Sequence, residues 1–162
     1  MSTESIEKVE SVNMDQKITV RSIAGWPTGF KRIETTGDVT IPKQGSVRLT
    51  RSEVIAQVQS GNKLFTGTDD RGSHATLYID DESTRLEVEF DSKEEKRVQQ
   101  VLNDEVVQKL FSYKTLKTFE ERMKEAIVTR AEKYAIVQMI SKLKLNDHEK
   151  IRIVEQYTGF KI

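Results

Sequence analysis

The spacing of apolar residues in this chain changes near residue 91, and this change limits the folds that are open to it. Before that point apolar and polar residues mostly alternate, as in the segments 17–21 and 85–90. Beyond it, apolar residues recur every three or four positions. Alternation is typical of strands, and the longer spacing is typical of amphipathic helices. The sequence therefore predicts an α+β fold: a small antiparallel β-sheet or partly closed barrel with one inserted helix, followed by a compact all-helical C-terminal unit.

Three segments follow from this pattern: an N-terminal arm (1–15), a β-rich domain (16–91) and a helical domain (92–162). The arm is polar and acidic, unlike a signal peptide, and its apolar residues are few. Ile6, Val9 and Val12 are spaced three apart, which gives a narrow apolar strip that another chain could accept. We expect the arm to contact a neighbouring subunit.

Turn and cap residues divide the β-rich domain into short elements. Thr50 and Glu53 have the spacing of a capping box, and Gly61 is expected to end the helix that they begin. We expect strands at 17–21, 30–33, 38–42 and 46–49, and a hairpin of Leu64–Phe65 with Ala75–Ile79 around the polar tip 66–73. The segment Arg85–Phe90 is predicted to be a strand, with a helix beginning at Asp81 or Ser83 as the alternative.

The helical domain carries repeated helix-start signals. Thr129 and Glu132 form a capping-box pattern, Asn146 is expected to cap the last helix, and Gly159 is expected to end it. Apolar clusters predict helices around 98–102, 106–111, 116–127, 130–143 and 147–157. This half is therefore expected to be helical throughout.

Composition limits the chemistry and the partners. With no cysteine, the chain has no disulfides, thiol nucleophiles or zinc–thiolate sites. Its net charge is zero, but residues 1–91 hold 11 Lys/Arg against 15 Asp/Glu, and residues 92–162 hold 15 against 11. The two halves therefore carry net charges of −4 and +4. They present either two solvated surfaces or opposite faces that dock within the chain or between copies.

The sequence shows no catalytic motif, and we predict neither catalytic residues, nor cofactors, nor a metal site. The acidic residues near the polar tip, together with His74, allow a metal-dependent enzyme as a distant alternative. These residues are Asp69, Asp70, Asp80 and Asp81. Aspartate and glycine are, however, the residues that turns require.

Two surfaces are candidates for contacts with other molecules. The terminal helix pair carries Lys142, Lys144, Lys150 and Arg152 near its connection, and the candidates for the outward face of its second helix are His148, Arg152, Glu155 and Gln156. Glu149 and Glu155 oppose phosphate binding, and zero net charge argues against nucleic acid as the partner. Aromatic side chains are typical interface anchors. The interface candidates are the arm residues Ile6, Val9 and Val12 together with Trp26, Phe30, Tyr157 and Phe160. For Trp26 the alternative is a core position over the end of the sheet, which is more usual for a tryptophan in a loop.

The C-terminal stretch resembles small structural proteins of tailed bacteriophages and prophages of Gram-positive bacteria. The matching residues are Leu143, Leu145, Asn146, Asp147, Lys150, Arg152, Thr158, Gly159 and Phe160, with a looser match over Ser46–Ile55 and Leu77–Asp80. The chain departs from the pattern at the long turn Thr66–Ser73 and at Leu86–Phe90. The resemblance covers about half of the chain and includes no catalytic motif.

The resemblance implies a non-enzymatic, virion-associated protein of the capsid surface or the head–tail region, made in the host cytoplasm. Its partners would be other virion proteins and copies of itself, with no membrane involved. The alternative is a phage-encoded regulator that binds nucleic acid or a host protein through the terminal helical hairpin.

Overall fold

Strand β1 (Lys17–Ser22) is the central strand of the first half in the computed structural model, which describes residues 13–162. It pairs antiparallel with β4 (Ser46–Thr50) on one side and with β5 (Leu77–Asp80) on the other. A separate antiparallel pair is formed by β2 (Thr28–Lys31) and β3 (Asp38–Ile41). Among the described residues these strands form no closed barrel. The predicted α+β class with a small antiparallel sheet is confirmed.

Seven helices accompany these strands in residues 13–162. They are α1 (Arg51–Gln59), α2 (Lys63–Thr66), α3 (Glu82–Glu87), α4 (Asp104–Phe111), α5 (Leu116–Ala126), α6 (Arg130–Lys142) and α7 (His148–Thr158). None of them combines the length and the apolar character that a membrane crossing requires. The predicted arm residues Ile6, Val9 and Val12 lie outside the described residues.

Each half has its own cluster of buried apolar side chains. In the first half, alternate residues of β1 and β5 point inward, and α1 and α2 cover them. In the second half, α4 to α7 enclose Phe119, Met123 and Ile140, which are fully buried. Ile23, which follows β1, packs against the helical cluster, so the two clusters meet beside the sheet.

The segment Arg85–Phe90 is not a strand, and the alternative of a helix is correct. Asp81 caps α3, because its side chain accepts from the backbone N–H of Thr84 at 3.0 Å. Glu89 then adopts a left-handed conformation (φ 64°), and the N–H of Phe90 donates to the carbonyl of Arg85. This turn buries Phe90 completely. The alternation of this segment therefore reflects a short helix and its end.

The predicted hairpin of Leu64–Phe65 with Ala75–Ile79 is wrong as well. Asn62 caps the short helix α2, which holds Leu64 and Phe65, and β5 pairs with β1 instead. A run of two apolar residues cannot distinguish a strand from a helical turn. The first half consequently contains three helices where the sequence predicted one.

Two further local predictions in the second half are wrong. Residues 98–103 form no regular helix, because the Asp91 carboxylate accepts from the backbone N–H of Gln99 at 2.6 Å. Asp147, and not Asn146, caps α7 by accepting from the N–H of Lys150 at 3.3 Å. Gly159 does end α7 in the left-handed conformation (φ 79°), as predicted.

Gly25 lies at the junction between the two halves. A Cβ atom at this position would overlap the ring of Tyr134 on α6. That ring is packed edge-on against Trp26 and Phe160, with centroid distances of 6.2 and 5.8 Å. Only glycine allows the aromatic ring to lie directly on the backbone at this point.

We therefore expect Gly25→Ala to lower the free energy of unfolding by about 1–3 kcal/mol, the usual cost of overpacking. Denaturant titration measures this loss. The matched control is Gly25→Ala in a Tyr134→Leu background, where the clash is relieved and the cost should be smaller. Equal costs in the two backgrounds would show that the ring contact is not responsible.

Candidate functional site

The predicted aromatic interface residues make contacts within the chain. Phe30 is half-buried and packs edge-on against Phe65 at 5.4 Å. Trp26 is also half-buried, between Tyr134 and the guanidinium of Arg130, which lies 5.5 Å from the ring centroid. Trp26 therefore helps to join the first half to α6. A role for these rings in contacts with other proteins stays a prediction.

Tyr157 and Phe160 hold the end of the chain against the helical core. The hydroxyl of Tyr157 donates to the carbonyl of Ile127 at 2.7 Å, and the ammonium groups of Lys124 and Lys133 lie over its ring. Phe160 packs against Tyr134. Both residues are only half-buried, so part of each ring remains accessible.

A polar contact that the sequence did not predict joins His74 of the first half to Glu132 of the second. The Nδ1 atom of His74 lies 2.9 and 3.0 Å from the two carboxylate oxygens of Glu132. The same carboxylate accepts from the backbone N–H groups of Val128 and Thr129 at 2.9 and 3.0 Å. Since a carboxylate accepts and does not donate, the Nδ1 atom must carry the proton in this contact.

His74 also has an unusual backbone conformation, with φ at 59°. Residues other than glycine adopt this region uncommonly, but histidine is one of the types enriched in it, and five other non-glycine residues between 13 and 162 share it. Its side chain is 25% exposed, whereas that of Glu132 is 3% exposed. A buried carboxylate thus orients an accessible imidazole.

The imidazole borders an open cavity of about 440 Å³ between the 73–74 turn, residues 100–102 and helices α4 to α6. Its wall contains the apolar side chains of Val101, Leu102, Val106, Leu110 and Ala126. The polar side chains at its rim are those of Lys109, Tyr113, Arg122 and Glu125. A largely apolar cavity with a few convergent polar groups is the usual form of a ligand site.

The acidic residues around the polar tip have separate structural roles. Asp69 accepts from Arg71 and Ser73 within the turn, Asp70 pairs with Lys63, and Asp80 pairs with Arg21. Within residues 13–162 no group of three or more potential ligands is close enough to hold a metal ion. Asp69 thus has the turn-forming role that was the alternative to a metal site, and Asp70 and Asp80 form ion pairs.

Asp81 illustrates how such a carboxylate serves the fold. Partial burial alone would raise its pKa, but hydrogen bonds from Thr84 and Arg51 outweigh this effect and hold the pKa below its usual range. The Oδ2 atom of Asp81 lies 2.5 Å from the Thr84 hydroxyl and 3.1 Å from Nη2 of Arg51. Arg51 is itself buried, with 3% exposure.

A lowered pKa predicts a pH dependence of stability. The folded protein holds Asp81 ionised at pH values where the unfolded chain has begun to bind a proton. The stabilisation is therefore complete above the unfolded pKa of about 4 and is lost as the pH falls through the lower folded value. We expect Asp81→Asn to flatten the decline in stability below about pH 4.

Denaturant titrations at a series of pH values test this expectation, with Asp38→Asn as the control at an exposed position. If the two variants lose stability with falling pH in parallel, the ionised form of Asp81 is not favoured in the folded protein.

The structure also bears on the terminal helical hairpin. Lys150 is buried, with 6% exposure, and its Nζ atom donates to the carbonyls of Phe111 and Tyr113 at 2.6 Å each. The exposed positions of α7 are His148, Glu149, Arg152 and Gln156. These carry one acid and one permanent base. Of the basic residues near the connection, Lys150 is occupied inside the fold, whereas Lys142 and Lys144 are exposed.

The sequence did not predict that His74 and Glu132 lie together. Glu132 was recognised as the capping-box residue of α6, a role that the structure confirms. His74 was placed beside a turn, 58 positions away, and only the packing of that turn against α6 brings the pair together. Comparisons of the chain with protein-family models, with curated protein sequences and with solved structures find no match.

Proposed function

We propose that this protein is a non-enzymatic structural or accessory component of a tailed-phage virion, at the capsid surface or in the head–tail region. It acts by packing against other virion proteins and copies of itself. It is made in the host cytoplasm and resides in the particle.

The observation that carries this proposal is the use of the buried ionic groups. Arg51, Glu53, Glu132 and Lys150 are each less than 10% exposed, and each is hydrogen-bonded within the chain. Glu53, for example, accepts from the backbone N–H groups of Ile33 and Glu34 and thereby holds the 32–37 loop on α1. Charges that are satisfied inside the fold in this way maintain the fixed shape that a packing role requires.

The residues behind the resemblance add support, because they form the ends of the last helix. Asp147 begins α7 and Gly159 ends it, while Phe160 continues onto Tyr134 at the junction of the halves. Because Tyr134 also contacts Gly25 and Trp26, these residues pack beside the junction of the halves, as suits a protein whose shape is its function.

Mass spectrometry of gradient-purified virions from the phage that encodes the chain tests the proposal. We expect the protein to remain with the particles through two successive gradients at a constant ratio to the major capsid protein. Its presence in the infected-cell lysate and absence from the particles would contradict the proposal and would fit the regulator alternative.

A further inference from the structure

The cavity beside His74 has the features of a binding site for a small molecule, independently of the proposed virion role. We propose that it binds a small organic acid: a carboxylate group carried on a compact apolar body. The volume of the cavity, the position of Lys109 at its rim and the orientation of the imidazole support this proposal.

The cavity fits such a ligand in size and lining. Its volume of about 440 Å³ lies in the range that is usual for small-molecule sites, roughly 300–1,000 Å³. The apolar wall formed by Val106, Leu110 and Ala126 would bury the body of the ligand. Burial of apolar surface supplies most of the affinity of a small ligand, and polar groups fix its orientation.

Lys109 is the charged group of the lining that is best placed to receive an anion. The lining holds two bases, Lys109 and Arg122, and two acids, Glu125 and Glu132. Lys109 is exposed and forms no ion pair within residues 13–162. In the same described part of the chain, Arg122 pairs with Glu125 on its own helix at 3.3 Å, where both side chains are more than half exposed, and such a weak pair can exchange for a ligand carboxylate. The oxygens of Glu132 already accept from three N–H groups, so this acid is engaged within the fold.

The imidazole adds a polar contact. Because Nδ1 is held by Glu132, Nε2 is the ring nitrogen left for a ligand. A ligand carboxylate at Nε2 accepts a hydrogen bond from the ring when both nitrogens carry protons. The charged and titratable groups around the ring are Glu132 on α6, Arg122 and Glu125 on α5, and Lys109 and Tyr113 from α4 and its end. His74 therefore orients the ligand within the cavity.

Three probes of the same shape test the site: benzoate, benzamide and benzamidine, which are anionic, neutral and cationic. Titrations followed by amide chemical shifts should show benzoate binding at the cavity with a Kd on the order of 1 mM, as expected for a fragment of this size. Benzamide should bind at least about tenfold more weakly, and benzamidine more weakly still. The imidazole nitrogen shifts of His74 should change on binding, while those of exposed His148 stay unchanged.

Two pairs of variants assign the contacts. Lys109→Met should weaken benzoate binding by about tenfold, while Lys117→Met, at an exposed position outside the cavity, should not. His74→Asn keeps a residue type that tolerates positive φ and should weaken benzoate binding, with His148→Asn as its control. Should His74→Asn fail to fold, the lysine pair, at exposed positions, still decides. Equal affinity for benzamide and benzoate, no shift at the cavity, or full affinity in Lys109→Met would overturn the proposal.

Discussion

Replacing Lys150 by alanine is expected to lower the free energy of unfolding by about 3 kcal/mol, since charged hydrogen bonds are lost and buried carbonyls are left unpaired. The ammonium of Lys150 donates to the carbonyls of Phe111 and Tyr113, just beyond the last turn of α4. It also lies 5.6 Å from the centre of the Phe119 ring. Within residues 13–162 no backbone N–H outside the helices donates to either carbonyl.

Thermal or urea denaturation measures this loss, and Arg152→Ala is the matched control. Arg152 is a basic residue of the same helix and is exposed, so its removal should change stability by less than about 0.5 kcal/mol. If both variants are equally stable, the buried lysine does not hold α7 on α4. The large expected loss also means that a DNA-binding defect in a Lys150 variant would first have to be separated from unfolding.

Replacing Glu132 by alanine is expected to cost a similar amount, about 3 kcal/mol, because one buried carboxylate serves three donors. The backbone N–H groups of Val128 and Thr129 would lose their acceptor, and His74 would lose its partner across the junction of the halves. Glu132→Gln keeps one acceptor oxygen for the two backbone groups. The free energy of unfolding of Glu132→Gln should therefore lie between those of the wild type and the alanine variant.

Hydrogen exchange separates the two roles of Glu132. In Glu132→Ala the amides of Val128 and Thr129 should exchange faster, and so should those of the 72–76 turn that His74 anchors. Glu125→Ala removes an exposed acid of α5 and serves as the control, with exchange near that of the wild type. If the 72–76 turn is unchanged in Glu132→Ala, the contact with His74 does not hold the turn on α6.

Local signals were sufficient where the structure depends on neighbours in the sequence. The capping box of Thr129 and Glu132 begins α6, and Gly159 ends α7 in the conformation that glycine favours. The one-position error at Asn146 arose because Asp147, the adjacent residue, is an equally good cap. Such errors leave the helix and its buried face unchanged.

Local signals failed where a distant partner decides between two conformations. Alternation at 85–90 fits a strand, yet Asp81 is held by Arg51, 30 positions earlier, and this contact favours its role as the cap of α3. Leu77–Asp80 has the pattern of a strand, but the choice of β1 as its partner depends on which apolar faces become buried together. Those choices belong to tertiary packing.

The sequence by itself determined the α+β class, the helices of the C-terminal region and most helix ends, because periodicity and capping act over a few residues. Only the tertiary structure decided that Gly25 receives the ring of Tyr134, that Lys150 is buried, and that His74 meets Glu132 beside a cavity. These contacts join residues that are far apart in the chain. Their energies depend on burial and geometry that no local pattern contains.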